Sequence, residues 1–250
     1  MDRVAFSIFG LDIMWYGILI ATGIVLAILV SSREASRLGY EDGQVTDICL
    51  FAIPLGIVGA RIYYVAFNWS QYAGNFKEII NIRGGGLAIH GGILAGILTV
   101  WIYTRIKKLD FFKTGDILVL GLPMAQAIGR WGNFINGEAH GGPTNLPWAI
   151  MVDGQKVHPT FLYESIWDWM IFVYIFMIRK NKKYEGQILV DYIFLYSLGR
   201  FFIEGLRTDS LMLGPIRMAQ LISLVGIVIA LVMRHFLLKK EKESREKDGI

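Results

Sequence analysis

Apolar and polar stretches alternate along the 250-residue chain, and seven of the apolar stretches are candidates for membrane helices. A helix needs about 20 apolar residues to cross the hydrocarbon core of a bilayer. A lone strand cannot satisfy its backbone hydrogen bonds in lipid. The pattern therefore predicts an all-α integral membrane protein that forms one polytopic domain over residues 1–250. The predicted spans are 14–31, 46–67, 88–105, 116–130, 161–178, 188–203 and 214–237.

Lysine and arginine concentrate in alternate loops between these spans. Cytoplasmic loops carry an excess of both residues, so the basic loops predict a cytoplasmic carboxyl terminus, with a charged tail at 238–250, and an amino terminus outside. Segments 68–87, 131–160 and 204–213 then face the outside. The basic residues on the predicted cytoplasmic side are Arg33, Arg37, Arg105, Lys107, Lys108, Lys113, Arg179, Lys180, Lys182, Lys183 and Arg234.

Composition agrees with a membrane protein and excludes several other classes. Hydrophobic residues make up 54% of the chain and charged residues 18%, and the mean hydropathy is +0.47. The net charge of +4 lies in short loops, so we expect no nucleic-acid partner. Cys49 is the one cysteine, which excludes an internal disulfide and a CxxC metal site. The four histidines lack the spacing of metal ligands.

A glycine-rich polar run, residues 129–141, follows the fourth predicted span. It places Arg130 near the outer edge of the hydrocarbon, where an arginine costs at most about 2.5–3.5 kcal/mol. The guanidinium is a planar fork of donors suited to phosphate oxygens. An arginine that reaches toward lipid headgroups is the alternative. Asn133, Asn136 and Glu138 in the same run favour a site.

A second polar group lies at the end of the sixth predicted span. Its members occur at positions i, i+4, i+8 and i+11, which predicts one helical face turned toward the bundle interior. Arg200 and Glu204 are expected to pair, which leaves Arg207 available to an anion. A purely structural salt bridge explains that pair equally well. The four residues are Tyr196, Arg200, Glu204 and Arg207.

The run 84–92 contains five glycines and His90. Irregular backbone at membrane depth is tolerated where it is buried in protein or lines a wet cavity. His90 is a candidate proton acceptor near neutral pH. Alternatively, His90 is a packed, hydrogen-bonded residue with a structural role.

Several weaker sequence signals are explained most simply by structural roles. Trp15 and Tyr16 suit aromatic anchoring at the interface as well as a site. Thr160 is expected to cap the fifth helix, with Glu164 in its first turn. Arg61 is a charge within the second span whose partner the sequence does not name.

The run 129–141 resembles the signature of prolipoprotein diacylglyceryl transferases, G-R-x-G-N-F-x-N-x-E-x-x-G, and matches it at every specified position. Further similarity covers Trp15–Gly17, Leu87–Gly92, His158–Glu164 and Tyr196–Asp209. One departure is Met14, where many members carry a basic residue. The resemblance extends over nearly all seven predicted spans.

The resemblance implies an enzyme of bacterial lipoprotein maturation. Such an enzyme transfers the diacylglyceryl group of phosphatidylglycerol to the lipobox cysteine of a prolipoprotein, forming a thioether and releasing glycerol phosphate. Its partners are phosphatidylglycerol, the prolipoprotein signal peptide and the bilayer. It would lie in the cytoplasmic (inner) membrane with its active site toward the outer leaflet, and it needs neither a metal nor an organic cofactor.

The resemblance also implies roles for the residues named above. The expected catalytic residues are His90, Arg130 and Arg200, and the expected substrate-binding residues are Tyr16, Arg130, Asn133, Asn136, Glu138, Gly141, Tyr196, Glu204 and Arg207. His90 is the candidate base for the thiol. Alternatively, His90 positions the lipid while another group or water accepts the proton.

Two other functions remain as alternatives. A small-anion transporter would also contain interrupted helices and buried arginines. Transporters usually show internal repeats, and none is visible here; both arginine groups also lie toward the outer face. A non-catalytic lipid-binding scaffold explains the arginines but not His90 and Glu138 beside them.

Overall fold

The computed structural model of the protein describes residues 2–82 and 84–247, and most of these residues are helical. The helices are α1 (Trp15–Arg37), α2 (Gln44–Phe67), α3 (Trp69–Tyr72), α4 (Phe76–Ile80), α5 (Ile89–Lys107), α6 (Phe111–Leu120), α7 (Leu122–Asn136), α8 (Thr160–Ile178), α9 (Gln187–Glu204) and α10 (Met218–Lys247). The strands are β1 (Val4–Ile8), β2 (Leu11–Met14), β3 (Ile150–Val152), β4 (Gln155–Val157), β5 (Met212–Leu213) and β6 (Ile216–Arg217).

Two compact units make up the fold. Unit 1 contains the residues up to Ser31 and those from Gly115 onward, and unit 2 is Ser32–Thr114. Six helical segments are long and apolar enough to cross a membrane: α1, α2, α5, α6 with α7, α8 and α10. This confirms the helical membrane class. Helix α9 is not among the six because its 18 residues include three charges, Asp191, Arg200 and Glu204, so the seventh span remains a prediction.

The fourth predicted span, 116–130, is longer than expected and is interrupted. It consists of α6 and α7, which meet at Gly121. A side chain on Gly121 would overlap the backbone of Ala27 in α1, and Pro123 near the start of α7 lacks a backbone N–H. Helix α7 therefore carries the polar signature as far as Asn136.

The last predicted span, 214–237, and the tail also differ from the structure. Residues 214–217 form a turn and β6, and α10 begins at Met218. This helix continues to Lys247, so 238–247 is helical; residues 248–250 of the predicted tail lie outside the described residues. Pairs four residues apart support the extension, with Lys239 Nζ 3.8 Å from Glu243 and Arg245 Nε 3.0 Å from Glu241.

Three antiparallel hairpins, β1–β2, β3–β4 and β5–β6, depart from the all-helical prediction. Phe9 and Gly10 turn the first hairpin with φ of 51° and 77°, and Asp153 and Gly154 turn the second with φ of 48° and 80°. Two successive residues with positive φ suit two-residue hairpin turns. The Asp-Gly pair is a sequence signal from which the second hairpin could have been predicted.

Helices α2 and α5 pack closely in unit 2 through glycines. A side chain on Gly59 or on Gly91 would overlap the backbone of the opposite helix. Small residues allow such close approach between membrane helices, where van der Waals packing replaces the hydrophobic effect as the driving force.

Unit 1 has an apolar core formed by α6, α8 and α9. Its buried members are Val119, Leu120, Ile171, Ile175, Ile188 and Tyr192. Asp116 joins α6 to the start of α9, since its carboxylate accepts hydrogen bonds from the backbone N–H groups of Gly186 and Leu189, each at 2.9 Å, and from Lys182 Nζ at 3.0 Å. This contact fixes the start of the helix that carries Arg200.

Candidate functional site

Three arginines of unit 1 converge on the carboxylate of Glu164 in α8, which is 4% exposed. Arg130 Nε of α7 lies 2.8 Å from Oε2. Arg200 of α9 donates to Oε1, and Arg207 Nη1 lies 3.6 Å from the same oxygen. Burial of a carboxylate is unfavourable unless opposite charges surround it, and here α7, α9 and the segment after α9 supply those charges.

Hydrogen bonds between α7 and α8 hold this arrangement. The fully buried Thr160 donates its hydroxyl to the carbonyl of Ala139. Ser165 Oγ donates to the carbonyl of Ala127 at 2.9 Å and accepts from the Trp131 indole at 3.2 Å. These bonds join α8 to α7 and to the segment after α7, close to the ion pair of Arg130 with Glu164.

The predicted roles of Thr160 and Glu164 at the start of α8 are wrong. Pro159 is the N-cap, and Thr160 is the first helical residue, with its hydroxyl directed to another segment. Glu164 lies beyond the first turn and binds arginine side chains instead of the helix terminus. A contact with a distant segment has replaced the local capping contact in each case.

The pairing of Arg200 with Glu204 is confirmed, with Arg200 Nη2 2.7 Å from Glu204 Oε2. The expected continuous stripe ends there, because α9 stops at Glu204 and Arg207 follows the helix. Trp167 of α8 donates its indole N–H to the carbonyl of Leu195 at 2.9 Å, which holds α9 against α8 close to the ion pairs.

The prediction that Arg207 is available to an anion is wrong. Its Nε and Nη2 atoms bind both carboxylate oxygens of Asp209 at 2.9 and 2.6 Å. Burial lowers the pKa of Arg207, but the hydrogen bond with Asp209 and the charge of Glu164 outweigh burial, so the pKa is raised. Burial raises the pKa of Asp209, but Arg207 outweighs it, and the pKa falls below the ordinary 3.8.

Arg130 differs from the other two arginines in which of its nitrogens are occupied. Its shortest contacts with Glu164 and Asp168 both involve Nε. Both terminal nitrogens of Arg200 bind carboxylates. Within residues 2–82 and 84–247, no hydrogen bond joins a terminal nitrogen of Arg130 to a carboxylate. This pair of nitrogens can therefore bind a phosphate in bidentate fashion.

A cavity next to these groups is lined by Arg130, Glu164, Trp167, Asp168, Tyr196, Arg200 and Ile203. Tyr196 thus lies with the arginines, as the sequence predicts. Asp168 does not figure in the sequence predictions, although Glu164 and Asp168 stand four residues apart in an apolar helix. That spacing places two intramembrane charges on one helical face, a signal of a functional site.

Asn136 and Glu138 line a separate cavity with Arg3, His140 and the β3–β4 hairpin. The chain turns away from α7 at Gly137, where φ is 72°. The carbonyl of Asn133 accepts the N–H groups of Gly137 and Glu138 at this helix end. The helix end therefore divides the signature between the ion-pair cluster and a second cavity.

Tyr16 and Gly141 contact other parts of unit 1. A side chain on Gly132 of α7 would overlap the ring of Tyr16, so this ring packs directly on α7. Gly141 forms a β-bridge with Arg207. Its N–H donates to the carbonyl of His158 at 2.8 Å, which joins the end of the signature to the segment that starts α8.

His90 and Arg61 belong to unit 2. His90 is exposed at the start of α5, and its ring centre lies 6.2 Å from that of Tyr63. Arg61 is buried, and its guanidinium donates to four backbone carbonyls. The acceptors are Glu78 at 2.5 Å, Ile79 at 2.9 Å, Gly85 at 2.7 Å and Gly86 at 2.9 Å. These carbonyls are the partners of Arg61 that the sequence left unnamed.

Comparisons with known proteins identify the family of the chain. The family model described as prolipoprotein diacylglyceryl transferase matches residues 3–236. Relatives named phosphatidylglycerol–prolipoprotein diacylglyceryl transferase occur in Clostridioides difficile (64% identity over 98% of this chain and 98% of the relative), in Finegoldia magna (54%, over 96% and 97%) and in Clostridium kluyveri (47%, over 92% and 94%). The chain belongs to the prolipoprotein diacylglyceryl transferase family.

Proposed function

We propose that the protein transfers the diacylglyceryl group of phosphatidylglycerol to the lipobox cysteine of a prolipoprotein, the first step of lipoprotein maturation. Family membership supports the reaction. The observation that carries it within the molecule is Arg130, whose shortest contact with Glu164 is through Nε and whose terminal nitrogens form no hydrogen bond with a carboxylate among the described residues. A phosphate ester is the substrate group that this fork of donors matches.

The reaction is a displacement at carbon. The cysteine sulfur attacks the glyceryl carbon that carries the phosphate ester, so a C–S bond forms as the C–O bond breaks. The electron pair of that bond remains on glycerol phosphate, and the thiol proton passes to a base. A cysteine thiol has a pKa of about 8.5 in water, so the reaction needs a base. Fixed cations at the growing phosphate charge lower the barrier.

We assign the phosphate to Arg130, with Arg200 beside it in the cavity. Arg200 and Arg207 hold Glu164 and Glu204, and so keep Arg130 in place. Tyr196 lines the same cavity and is assigned to the substrate. The remaining substrate contacts in our proposal are Tyr16, Asn133, Asn136, Glu138 and Gly141.

We infer seven spans, with α9 as the additional one, in a single polytopic domain of the bacterial inner membrane. The charges of α9 support this because each has partners within unit 1. Arg200 and Glu204 belong to the ion-pair cluster, and Asp191 accepts a hydrogen bond from Tyr174 at 3.3 Å. The basic loops orient the amino terminus outside, the carboxyl terminus in the cytoplasm and the arginine cluster toward the outer leaflet.

The decisive experiment is transfer from labelled phosphatidylglycerol to a synthetic lipobox peptide in detergent. We expect label on the peptide with the wild-type protein and none above background with Arg130→Ala or with a peptide whose cysteine is serine. Arg245→Ala is the matched control because Arg245 is exposed in α10, and it should keep wild-type activity. If folded wild-type protein labels no peptide, the transferase proposal is wrong, and anion flux into liposomes then tests the transporter alternative.

His90 is assigned as the base, and a second experiment separates this role from lipid positioning. As a base, His90→Asn should lower kcat by about 10²- to 10⁴-fold. Higher pH should restore part of the rate, because it supplies thiolate without a base. A raised KM for the lipid with no recovery at high pH would assign His90 to positioning instead.

A further inference from the structure

Among the described residues, Asp168 is the buried carboxylate at the edge of the arginine cluster that has no role in the proposed mechanism. It is 2% exposed, lies in α8 one turn beyond Glu164 and lines the cavity shared by Arg130, Tyr196 and Arg200. Its nearest cation is Arg130, with Nε 3.9 Å from Oδ2. Oδ2 has no hydrogen-bond partner among the described residues.

A purely structural role explains these contacts poorly. Asp116, an equally buried aspartate of unit 1, accepts three hydrogen bonds within 3.0 Å and joins two helices. Asp168 has one long ion pair in place of these bonds. Unsatisfied buried polar atoms are unfavourable and tend to mark functional sites.

Arg130 Nε and Glu164 Oε2 share this unsatisfied state. They lie 2.8 Å apart, but neither forms a hydrogen bond of good geometry within the part of the chain that the structure describes. One buried guanidinium nitrogen and two buried carboxylate oxygens therefore lie close together, and none of the three has a hydrogen-bond partner among the described residues. Catalytic hydrogen bonds are often long in the free enzyme and tighten only when the substrate is bound.

We propose that Asp168 is a positioning residue for the transfer, which acts together with Glu164 on Nε of Arg130. Two carboxylates one helical turn apart restrict the guanidinium from one side, and the two terminal nitrogens remain for the phosphate. This inference rests on the proposed function. Asp168 touches neither the thiol nor the phosphate in this role; it acts through the orientation of Arg130.

The test compares Asp168→Asn, Asp168→Glu and Asp191→Asn in the full-length protein, assayed in detergent with phosphatidylglycerol and the lipobox peptide. Asp168→Asn keeps the shape but removes the charge, so kcat and kcat/KM should fall together by about 10- to 100-fold. The thermal transition should stay near that of the wild type. Asp168→Glu should recover most of the lost rate, because it restores a carboxylate.

Asp191→Asn is the matched control, because Asp191 has neutral hydrogen-bond partners, Tyr174 and Gln187, and lies outside the arginine cluster. It should keep the wild-type rate. A wild-type rate for Asp168→Asn would overturn the positioning role, and so would a loss that matches the unfolded fraction alone. Absence of transfer by the wild type would instead overturn the proposed function, so the two failures are distinguishable.

Discussion

Arg61 and Arg130 are both arginines within apolar helices, but the two units of the molecule stabilise them in different ways. In unit 2, the guanidinium of Arg61 donates to four backbone carbonyls through all three of its nitrogens, and the ring of Tyr72 lies 5.0 Å from Cζ. In unit 1, the shortest contacts of Arg130 with carboxylates are made through Nε. Every nitrogen of Arg61 forms a hydrogen bond, whereas among the described residues the terminal nitrogens of Arg130 form none with a carboxylate.

The difference shows how a buried arginine comes to have a structural or a functional role. Backbone carbonyls that bind all three nitrogens of Arg61 make it a clamp for Glu78, Ile79, Gly85 and Gly86, which precede α5. Carboxylates next to Nε hold Arg130 in position, and its two terminal nitrogens remain for a ligand. Arg61 is buried, and the side chain of Arg130 is 20% exposed; both burial and the hydrogen bonds of the guanidinium therefore separate the two roles.

The largest effect is expected for Glu164→Gln. Three arginines would lose a common anion, and removal of one partner from a buried ion pair costs about 3–5 kcal/mol. Thermal unfolding in detergent should show a free energy of unfolding lowered by this order, together with lost transfer activity. A change within about 1 kcal/mol would mean that Glu164 is solvated as an exposed ion-pair partner would be.

Arg130→Lys should have the second largest effect, which is a loss of transfer rate. Lysine keeps the charge but loses the planar fork, and removal of one transition-state donor costs about 10²- to 10³-fold in kcat. The transfer assay measures this loss, with Arg61→Lys as the paired substitution. If Arg61→Lys reduces kcat of the folded protein by the same factor, the distinction between a structural Arg61 and a substrate-binding Arg130 is wrong.

Arg61→Met should lower the stability of the protein more than its transfer rate. Methionine fills the apolar space but leaves four carbonyls without their donor, at about 1–3 kcal/mol for each group that becomes buried and unsatisfied. We expect a lower thermal transition and faster proteolysis of residues 78–86. Gly86→Ala should have a similar effect, because Gly86 has φ of 72° and a side chain there would meet Arg61 and Tyr64. Unchanged proteolysis in both variants would contradict the clamp.

Asp209→Asn should have the smallest effect. The side chain of Asp209 is 50% exposed, and an exposed ion pair contributes about 0–1 kcal/mol. The pKa of Asp209 is lower in the folded protein, so its contribution is present above pH 3.8 and is lost as the pH falls through the folded pKa. Thermal unfolding of the variant and the wild type should differ slightly at neutral pH and converge once the pH falls below the folded pKa.

Much of this protein follows from local patterns. Apolar stretches predict helices because lipid leaves the backbone few other ways to satisfy its hydrogen bonds. The pair Arg200 and Glu204 follows from a spacing of four residues on a helix. The signature run 129–141 identifies Arg130, Asn136 and Glu138 together, since a short motif keeps its residues close in the chain.

Tertiary structure decided what those residues contact. Glu164 lies 34 residues after Arg130 and 36 before Arg200, and only the packing of α7, α8 and α9 brings them together. The break at Gly121 depends on Ala27. The hydrogen bonds of Arg61 depend on the position of the carbonyls of residues 78, 79, 85 and 86 next to α2. Ion pairs and hydrogen bonds between distant segments require a known arrangement of helices, because residue type and spacing determine only which groups could pair.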